Sequence, residues 1–262
     1  MTKCPINSRD EVKNLLVLAI FAGRIMLKNG AEIYRVEDTV QRICSSRENI
    51  TNVDAFVTPT GIFVSLEYQN EVFTYLRRIR DLTINLHIIS QINEFSRRFV
   101  QTDMSIEEGM RILTNIDNSK PYSPIIKATF GSIAAACFTL MFGGTIRDFI
   151  SCVIVSFIVI IILNKLSKFD LTFFLENFLG AFLASTFSYV TILIGLGENL
   201  DMIIIGSIMY LVPGVSMTNA VRDTMSGDFL SGQSRGLEAI FSALAIAFGV
   251  GIVLNFYLKG VI

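Results

Sequence analysis

The chain has no tryptophan, one histidine and five prolines, and only 17% of its residues are charged. Each shortage excludes something. His87 stands alone, and Cys4, Cys44, Cys137 and Cys152 form no C-x-x-C pair. A structural zinc site therefore lacks its ligands and a disulfide framework its spacing; no metal and no cofactor is expected. Lysine plus arginine (22) and aspartate plus glutamate (23) leave a net charge of −1, which argues against a dedicated nucleic-acid surface. No G-x-x-x-x-G-K-[ST], no strand-borne G-x-G-x-x-G and no H-E-x-x-H occurs, so ATPase, dehydrogenase and zinc-peptidase chemistry each lack their first requirement.

What the chain has in quantity is apolar residues, 52%, with a mean hydropathy of +0.55. That rules out disorder and disfavours an ordinary cytosolic enzyme. The apolar weight is uneven: residues 1–124 carry 15 Lys/Arg and 15 Asp/Glu, whereas residues 125–262 carry 7 and 8. The pattern predicts an N-terminal α+β domain over 1–120 and an α-helical membrane domain over 121–262. Five uncharged windows follow Pro124: Ala128–Ile146, Phe149–Asn164, Asn177–Gly197, Met202–Val221 and Ala239–Leu258. A bilayer core asks for about 20 apolar residues per helix, so five spans are expected, about 125–143, 148–165, 172–196, 201–221 and 237–258. The second window is short, but Lys165 and Lys168 at its end can snorkel. Before Pro124 no uncharged window exceeds 12 residues. The early run Leu15–Ala22 is bracketed by charges and lacks an A-x-A-like site, so it reads as an amphipathic helix of the first domain, not a signal peptide.

Short-loop charges orient the spans. Lys120, Lys127, Lys165, Lys168, Arg222 and Arg235 fall on one side, Arg147 and Lys259 on the other. The positive-inside rule then puts the N-terminal domain in the cytoplasm and the C-terminus outside.

Within the first domain, Leu15 to Met26 shows helical spacing closed by Asn29-Gly30, and a second helix is expected over about 31–46. From Val53 the period becomes two: Ile62, Val64, Leu66 and Tyr68 alternate with Phe63, Ser65 and Glu67, and a second β-like run, Val72–Ile79, follows Gln69-Asn70. Thr58-Pro59-Thr60-Gly61 marks a turn or bulge. Two more helices are expected, about 86–100 and 106–116, the latter opened by a capping box, Ser105 to Glu108. Arg77, Arg78 and Arg80, with Arg97 and Arg98, form basic clusters, either solvated or lipid-facing or set to meet a substrate anion.

Three stretches resemble the threonine/serine exporter family: Asn29-Gly-Ala-Glu-Ile-Tyr-Arg-Val-Glu-Asp-Thr39, then Val57-Thr-Pro-Thr-Gly-Ile62, then Leu211-Val-Pro-Gly214 with Asn219, Arg222, Asp223 and Gly227-Asp228. The resemblance covers essentially the whole chain. Single-chain members of that family carry about ten spans, twice the number read here, so the chain resembles the larger half of a split exporter whose smaller membrane partner subunit supplies the rest. The resemblance implies a secondary exporter in the cytoplasmic membrane, proton-coupled, moving threonine- or serine-like amino acids or a dicarboxylate such as succinate.

Beside that resemblance the candidate residues each carry an ordinary reading. Pro213 and Gly214 fall mid-way along the expected fourth span, followed by polar Ser216, Thr218 and Asn219. They mark either a broken helix at a substrate site or a packed proline kink. Glu176, beside Asn177 about one turn into the third span, is either part of an ion pathway or an interfacial carboxylate. Ser185, Thr186, Ser188, Tyr189 and Thr191 give that span a polar face, which lines a path or bonds to its own backbone. Gly131, Ala134, Ala135, Ala136, Gly249 and Gly251 suit close helix packing. Glu32, Arg35, Glu37 and Asp38 are spaced for ordinary surface pairs; with Thr58, Pro59, Gly61, Arg222, Asp223 and Asp228, their match to the family pattern assigns them to a gating or interdomain surface.

The expected partners are thus the lipid bilayer, a smaller membrane subunit and a small-molecule substrate, with oligomers allowed and nucleic acid excluded. The rival expectation is a membrane-anchored enzyme or sensor whose N-terminal domain carries the activity. One histidine and no nucleophile–base pattern disfavour the enzyme; five spans exceed what a sensor's anchor needs.

Overall fold

The computed structural model describes residues 5–79, 82–119, 122–169 and 171–259. Cys4, Arg80, Lys120 and Asp170, used above, lie outside the described residues, as does the side chain of Lys168. The chain forms two compact units. The first comprises 1–120 together with 217–236, and the second 121–216 together with 237–262. The expected boundary at 120/121 is therefore crossed: residues 217–236, assigned above to the membrane domain, pack with the N-terminal segment.

In the first unit, α1 (Arg9–Lys28) starts at Ser8, whose hydroxyl accepts the Glu11 N–H. It is amphipathic, as expected: Val12, Leu15, Leu18, Ala22, Ile25 and Leu27 are all buried, whereas Lys13, Asn14 and Val17 are exposed and Phe21, Arg24 and Lys28 half-buried along the opposite stripe. This is a central helix, packed by α2 (Ile33–Cys44), by α3 (Leu86–Gln101), by α4 (Ile106–Asp117) and by the sheet. At Gly23 a Cβ would sit 2.7 Å from Val40 Cγ2, so glycine permits the close approach of α1 and α2.

The sheet is an antiparallel meander of β1 (Thr51–Thr58), β2 (Gly61–Tyr68) and β3 (Glu71–Arg78). Thr58 pairs with Gly61, so Pro59-Thr60 is the two-residue turn. Gln69 and Asn70 close the second hairpin with φ of 51° and 61°, the paired left-handed torsions of a tight hairpin turn. The expected alternation holds in β2, where Ile62, Val64, Leu66 and Tyr68 are all buried. Ser105 accepts the Glu108 N–H as the capping pattern predicts.

The second unit holds α5 (Pro124–Met141), α6 (Ile146–Leu166), α7 (Phe173–Leu193), α8 (Leu200–Ile208) and residues 237–258 of α10 (Phe229–Leu258). Its core mixes small side chains, Ala135, Ala136, Cys152, Ala181 and Ala184, with Val155, Val159, Leu163 and Ile203, while Phe130, Ile154, Ile158, Phe241 and Phe248 face outward. Large apolar residues on the outside and small ones at helix contacts suit a helix bundle solvated by lipid. Among the described residues four helices are long and apolar enough to cross a membrane: α5, α6, α7 and α10. The expected fourth span, 201–221, is not one helix. α8 ends at Ile208 after nine residues, and α9 (Gly214–Met225) starts beyond Pro213. Proline cannot donate to the preceding turn and forces the residue before it out of helical torsions, so the helix stops short of it.

Asp148 ties the α7–α8 loop to the start of α6. Its Oδ1 accepts the N–H groups of Glu198 (2.7 Å) and Asn199 (2.9 Å). Its Oδ2 accepts Asn199 Nδ2 (2.8 Å) and the N–H and hydroxyl of Thr145. Thr145 and Asp148 also form a reciprocal capping box. Five donors on one fully buried carboxylate make this a structural clamp. Asp148→Ala would leave them unanswered; it should cost about 3 kcal/mol or more, and Asp148→Asn less, read as thermal unfolding of the detergent-solubilised protein.

Candidate functional site

Many of the residues singled out for gating converge in the first unit, around the turn between α1 and α2. Gly30 takes φ +89°, which a side chain would strain, and turns the chain so that Ala31 and Glu32 lead extended into α2. Glu32 occupies the position before the helix but does not cap it. Asp223 of α9 does so in its place, its Oδ1 accepting the Ile33 N–H at 3.2 Å. Its neighbours complete the recognition of this turn: Asn219 Nδ2 donates to the Gly30 carbonyl (3.1 Å) and Arg235 Nη2 to the Ala31 carbonyl (2.9 Å). Arg222 pairs with Glu32 Oε1, and Arg35 with Glu32 Oε2 at 3.1 Å. Arg235 Nε lies 3.2 Å from Asp223 Oδ2, close enough for an ion pair although not aligned as a hydrogen bond. Four consecutive residues, Gly30 to Ile33, are thus read one by one by side chains of α9 and the first turns of α10.

The electrostatics follow from burial. Asp223 is fully buried, and that burial raises its carboxyl above the ordinary range. The pull of Arg235 and the Ile33 N–H does not cancel it, and Asp228 and Glu32 push the same way. Glu37 is also raised, first by burial and then by Asp228 and Asp223, although its Oε1 accepts the Val57 N–H at 2.9 Å. Burial works against Glu32 as well, but its own backbone N–H, Arg35 and Arg222 outweigh it and hold this carboxyl below the ordinary range.

The other singled-out residues lie elsewhere. Thr58, Pro59 and Gly61 form the β1–β2 turn next to Val57, where Glu37 ties α2 to the sheet. Asp38 makes an exposed pair with Arg42 on α2. Pro213 and Gly214 sit at the break between α8 and α9, and Ser216 is half-buried in the first turn of α9. Asn219, expected on a substrate pathway, belongs to the ring around Gly30. Glu176 and Asn177, both half-buried, lie in the first turn of α7, where a carboxylate suits the helix dipole. Ser188 is buried and donates to the Ala184 carbonyl at 2.7 Å. Ser185, Thr186 and Thr191 likewise bond to their own helix. Of the two readings of that face, the structure has the backbone-bonded one.

Two residues escaped the sequence reading. Arg235 was counted only as an inside charge, yet it is the partner of the buried Asp223. Asp148 carried a legible signal in Thr145-x-x-Asp148, the same pattern recognised at Ser105.

A family model described as "Putative threonine/serine exporter" matches residues 17–257. The chain belongs to the threonine/serine exporter family. Two relatives match along nearly all of both chains. The "Probable succinate transporter subunit YjjP" of Klebsiella aerogenes is 22% identical over 259 residues, covering 96% of each. Its namesake in Escherichia coli (strain K12) is 23% identical over 246 residues, covering 93% of this chain and 94% of the relative. The "Threonine/serine exporter" of Corynebacterium glutamicum is 21% identical over 257 residues, and the chain spans 53% of its length. No solved structure matches. As a member of an exporter family the chain is a multi-pass membrane protein that works on a small-molecule substrate in a lipid bilayer.

Removing Asp223 from this exporter leaves the partly buried Arg235 without its counter-charge and the Ile33 N–H without its acceptor, so Asp223→Ala should destabilise the first unit by roughly 1–3 kcal/mol, read from thermal denaturation of the purified chain. The acid dependence has a definite sign. Glu37 and Asp223 hold protons more tightly folded than unfolded, so their contribution favours the fold below the ordinary carboxylate range and is lost as pH rises through their raised values. Glu32 acts oppositely: its contribution is present above the ordinary glutamate range and lost as pH falls through its lowered value. Glu37→Gln keeps an acceptor for Val57 and should flatten the first decline, measured as denaturant midpoints between about pH 4 and pH 7.

Proposed function

We propose that the chain is the larger subunit of a two-component secondary exporter in the cytoplasmic membrane. It would move a small polar metabolite outward, a threonine- or serine-like amino acid or a dicarboxylate such as succinate, together with a smaller membrane partner of the same family. One observation carries this reading. The chain aligns end to end with relatives named as transporter subunits and with only about half of the single-chain exporter. A second protein supplying the missing half is the economical explanation.

The membrane half supports the rest of the proposal. α8 and the break at Met209–Pro213 are assigned to a discontinuous fifth crossing beside the four continuous helices. Broken helices at mid-membrane present partial charges to a polar substrate, and the first turn of α9 would offer its positive end there. Pro213, Gly214 and Ser216 are assigned to that position, with Asn177 on the pathway and Glu176 beside it as the candidate for proton coupling. The excess of Lys127, Lys165, Arg222 and Arg235 over Arg147 and Lys259 supports an N-terminal unit in the cytoplasm and a C-terminus outside. The ring around Asp223 is the proposed gate, because α10 begins within it and then contributes residues 237–258 to the membrane half.

The test is efflux of labelled threonine, serine and succinate from vesicles, with and without the neighbour-encoded small membrane protein. Flux of at least one compound that requires both proteins, and their co-elution, is the expected result; absence of flux for all three would overturn the reading. Replacing Pro213 and Gly214 together by Ala and Leu should abolish flux with membrane levels intact. Unchanged flux would reduce the motif to a packed kink.

A further inference from the structure

The sheet of the first unit has two unlike faces, and its register fixes which residues share each. On the inner face Val57, Ile62, Val64, Leu66 and Tyr68 are buried in the core with α1 and α2. The outer face is centred on Phe63, which stands directly opposite Phe56 on β1 and Leu76 on β3. Three large apolar side chains therefore form one row across all three strands. Phe56, Phe63 and Leu76 are 55%, 42% and 53% exposed, and the two rings stand 6.0 Å apart. The open face of an antiparallel sheet is ordinarily polar, so a continuous apolar row there marks an interaction surface.

The charges around the row have a two-fold pattern. Asp54 stands opposite Ser65, and Arg78 opposite Gly61. Each is thus one strand across and two residues along from Phe63, in opposite directions. Both are exposed, and neither belongs to an ion pair among the described residues. The other polar groups of this face are engaged: the Ser65 and Thr74 hydroxyls bond each other at 3.2 Å, and Glu67 accepts from Asn52 Nδ2 at 2.6 Å. Two carboxylates and one guanidinium leave the face negative, which does not suit an anionic lipid surface. What the face does match is itself. A two-fold axis lying in the face, through Phe63 and perpendicular to the Asp54–Arg78 diagonal, sets Arg78 of each copy over Asp54 of the other and Phe63 on Phe63. The strands of the two copies then cross steeply, near the orthogonal class of sheet packing.

We propose that the outer face of β1, β2 and β3 is a homodimer interface, in which the apolar row of one copy packs on that of a second and two reciprocal Arg78–Asp54 pairs close the rim. With strands about 4.8 Å apart and about 3.4 Å per residue, three eight-residue strands present a face of about 400 Å² per copy. A stable complex usually buries about 800 Å² per partner. The dimer is consequently weak in dilute detergent and forms where the copies share a membrane. It uses neither the ring around Gly30 nor the helix break at Pro213, so it stands apart from the export reading.

Disulfide trapping in membranes that carry the full chain tests this. Phe63→Cys is introduced into a chain whose Cys4 and Cys137 are replaced by Ser, leaving the buried Cys44 and Cys152. Because residue 63 lies on the axis, oxidation with copper phenanthroline should yield a species of twice the chain mass. Lys13→Cys, exposed on α1, should yield none in the same background. In the Phe63→Cys chain, Arg78→Asp and Asp54→Arg should each lower the trapped fraction about fivefold, the scale of two reversed rim pairs, and the two together should restore it. That recovery separates charge pairing across the interface from damage to the fold. Monomer alone from Phe63→Cys, a cross-link to a different protein in its place, equal trapping at Lys13→Cys, indifference to the single charge reversals, or no recovery in the double exchange would overturn the proposal. Trapping needs no substrate and no flux, so its outcome is separate from that of the export assay.

Discussion

The N-terminal unit depends on the answer it finds for one turn. The segment Gly30 to Ile33 must reverse direction at a left-handed glycine and start a helix with no capping side chain of its own, which would leave an amide and two carbonyls without partners. All three are answered from about 190 to 204 positions away in sequence: Asn219 reaches Gly30 O, Arg235 reaches Ala31 O and Asp223 reaches Ile33 N. Because Asp223 is fully buried, the arrangement cannot stop there. Its charge requires Arg235, and Glu32, beside it, requires Arg222 and Arg35. The 217–236 hairpin is therefore part of the first unit's core chemistry, and α10, which begins in it, contributes to both units.

The helix break at Met209–Pro213 bears on the same hairpin. A continuous helix through 201–221 would have kept Asn219 in the apolar series that precedes it. Pro213 ends α8 at nine residues, and α9 begins a new helix whose buried face, Asn219, Ala220 and Asp223, is polar enough to bond the Gly30–Ile33 turn of the first unit. One residue that cannot donate a backbone hydrogen bond thus separates an apolar helix from a charged one.

The parts legible in the sequence were those written in local periods. The alternation through Ile62, Val64, Leu66 and Tyr68 marks β2, the helical spacing after Ile106 marks α4, and Asn29-Gly30 marks the end of α1. The number of partners of α1 was less legible, because its periodicity shows one buried face but not that α2, α3, α4 and the sheet all pack on it. Membership of 217–236 in the first unit was hidden for a different reason. Counting uncharged windows treats Met202–Val221 as a single stretch, since hydropathy averages do not register a missing amide hydrogen. The role of Arg235 lay beyond local pattern altogether; it rests on a contact with Ala31 and Asp223 that no spacing rule contains.

The two units treat buried polar groups in opposite ways, and this bears on where function should be sought. In the second unit the polar side chains are self-contained: the hydroxyls of Ser185, Ser188 and Thr191 bond their own helix, and Asp148 is saturated by five donors. Groups so engaged have little left for a passing substrate, so an abundance of hydroxyls on α7 is weak support for a path. What distinguishes a site is capacity left over. For the membrane half, the proposed function places the substrate site at the helix break between α8 and α9. In the N-terminal unit Arg24 Nε is buried without an acceptor among the described residues.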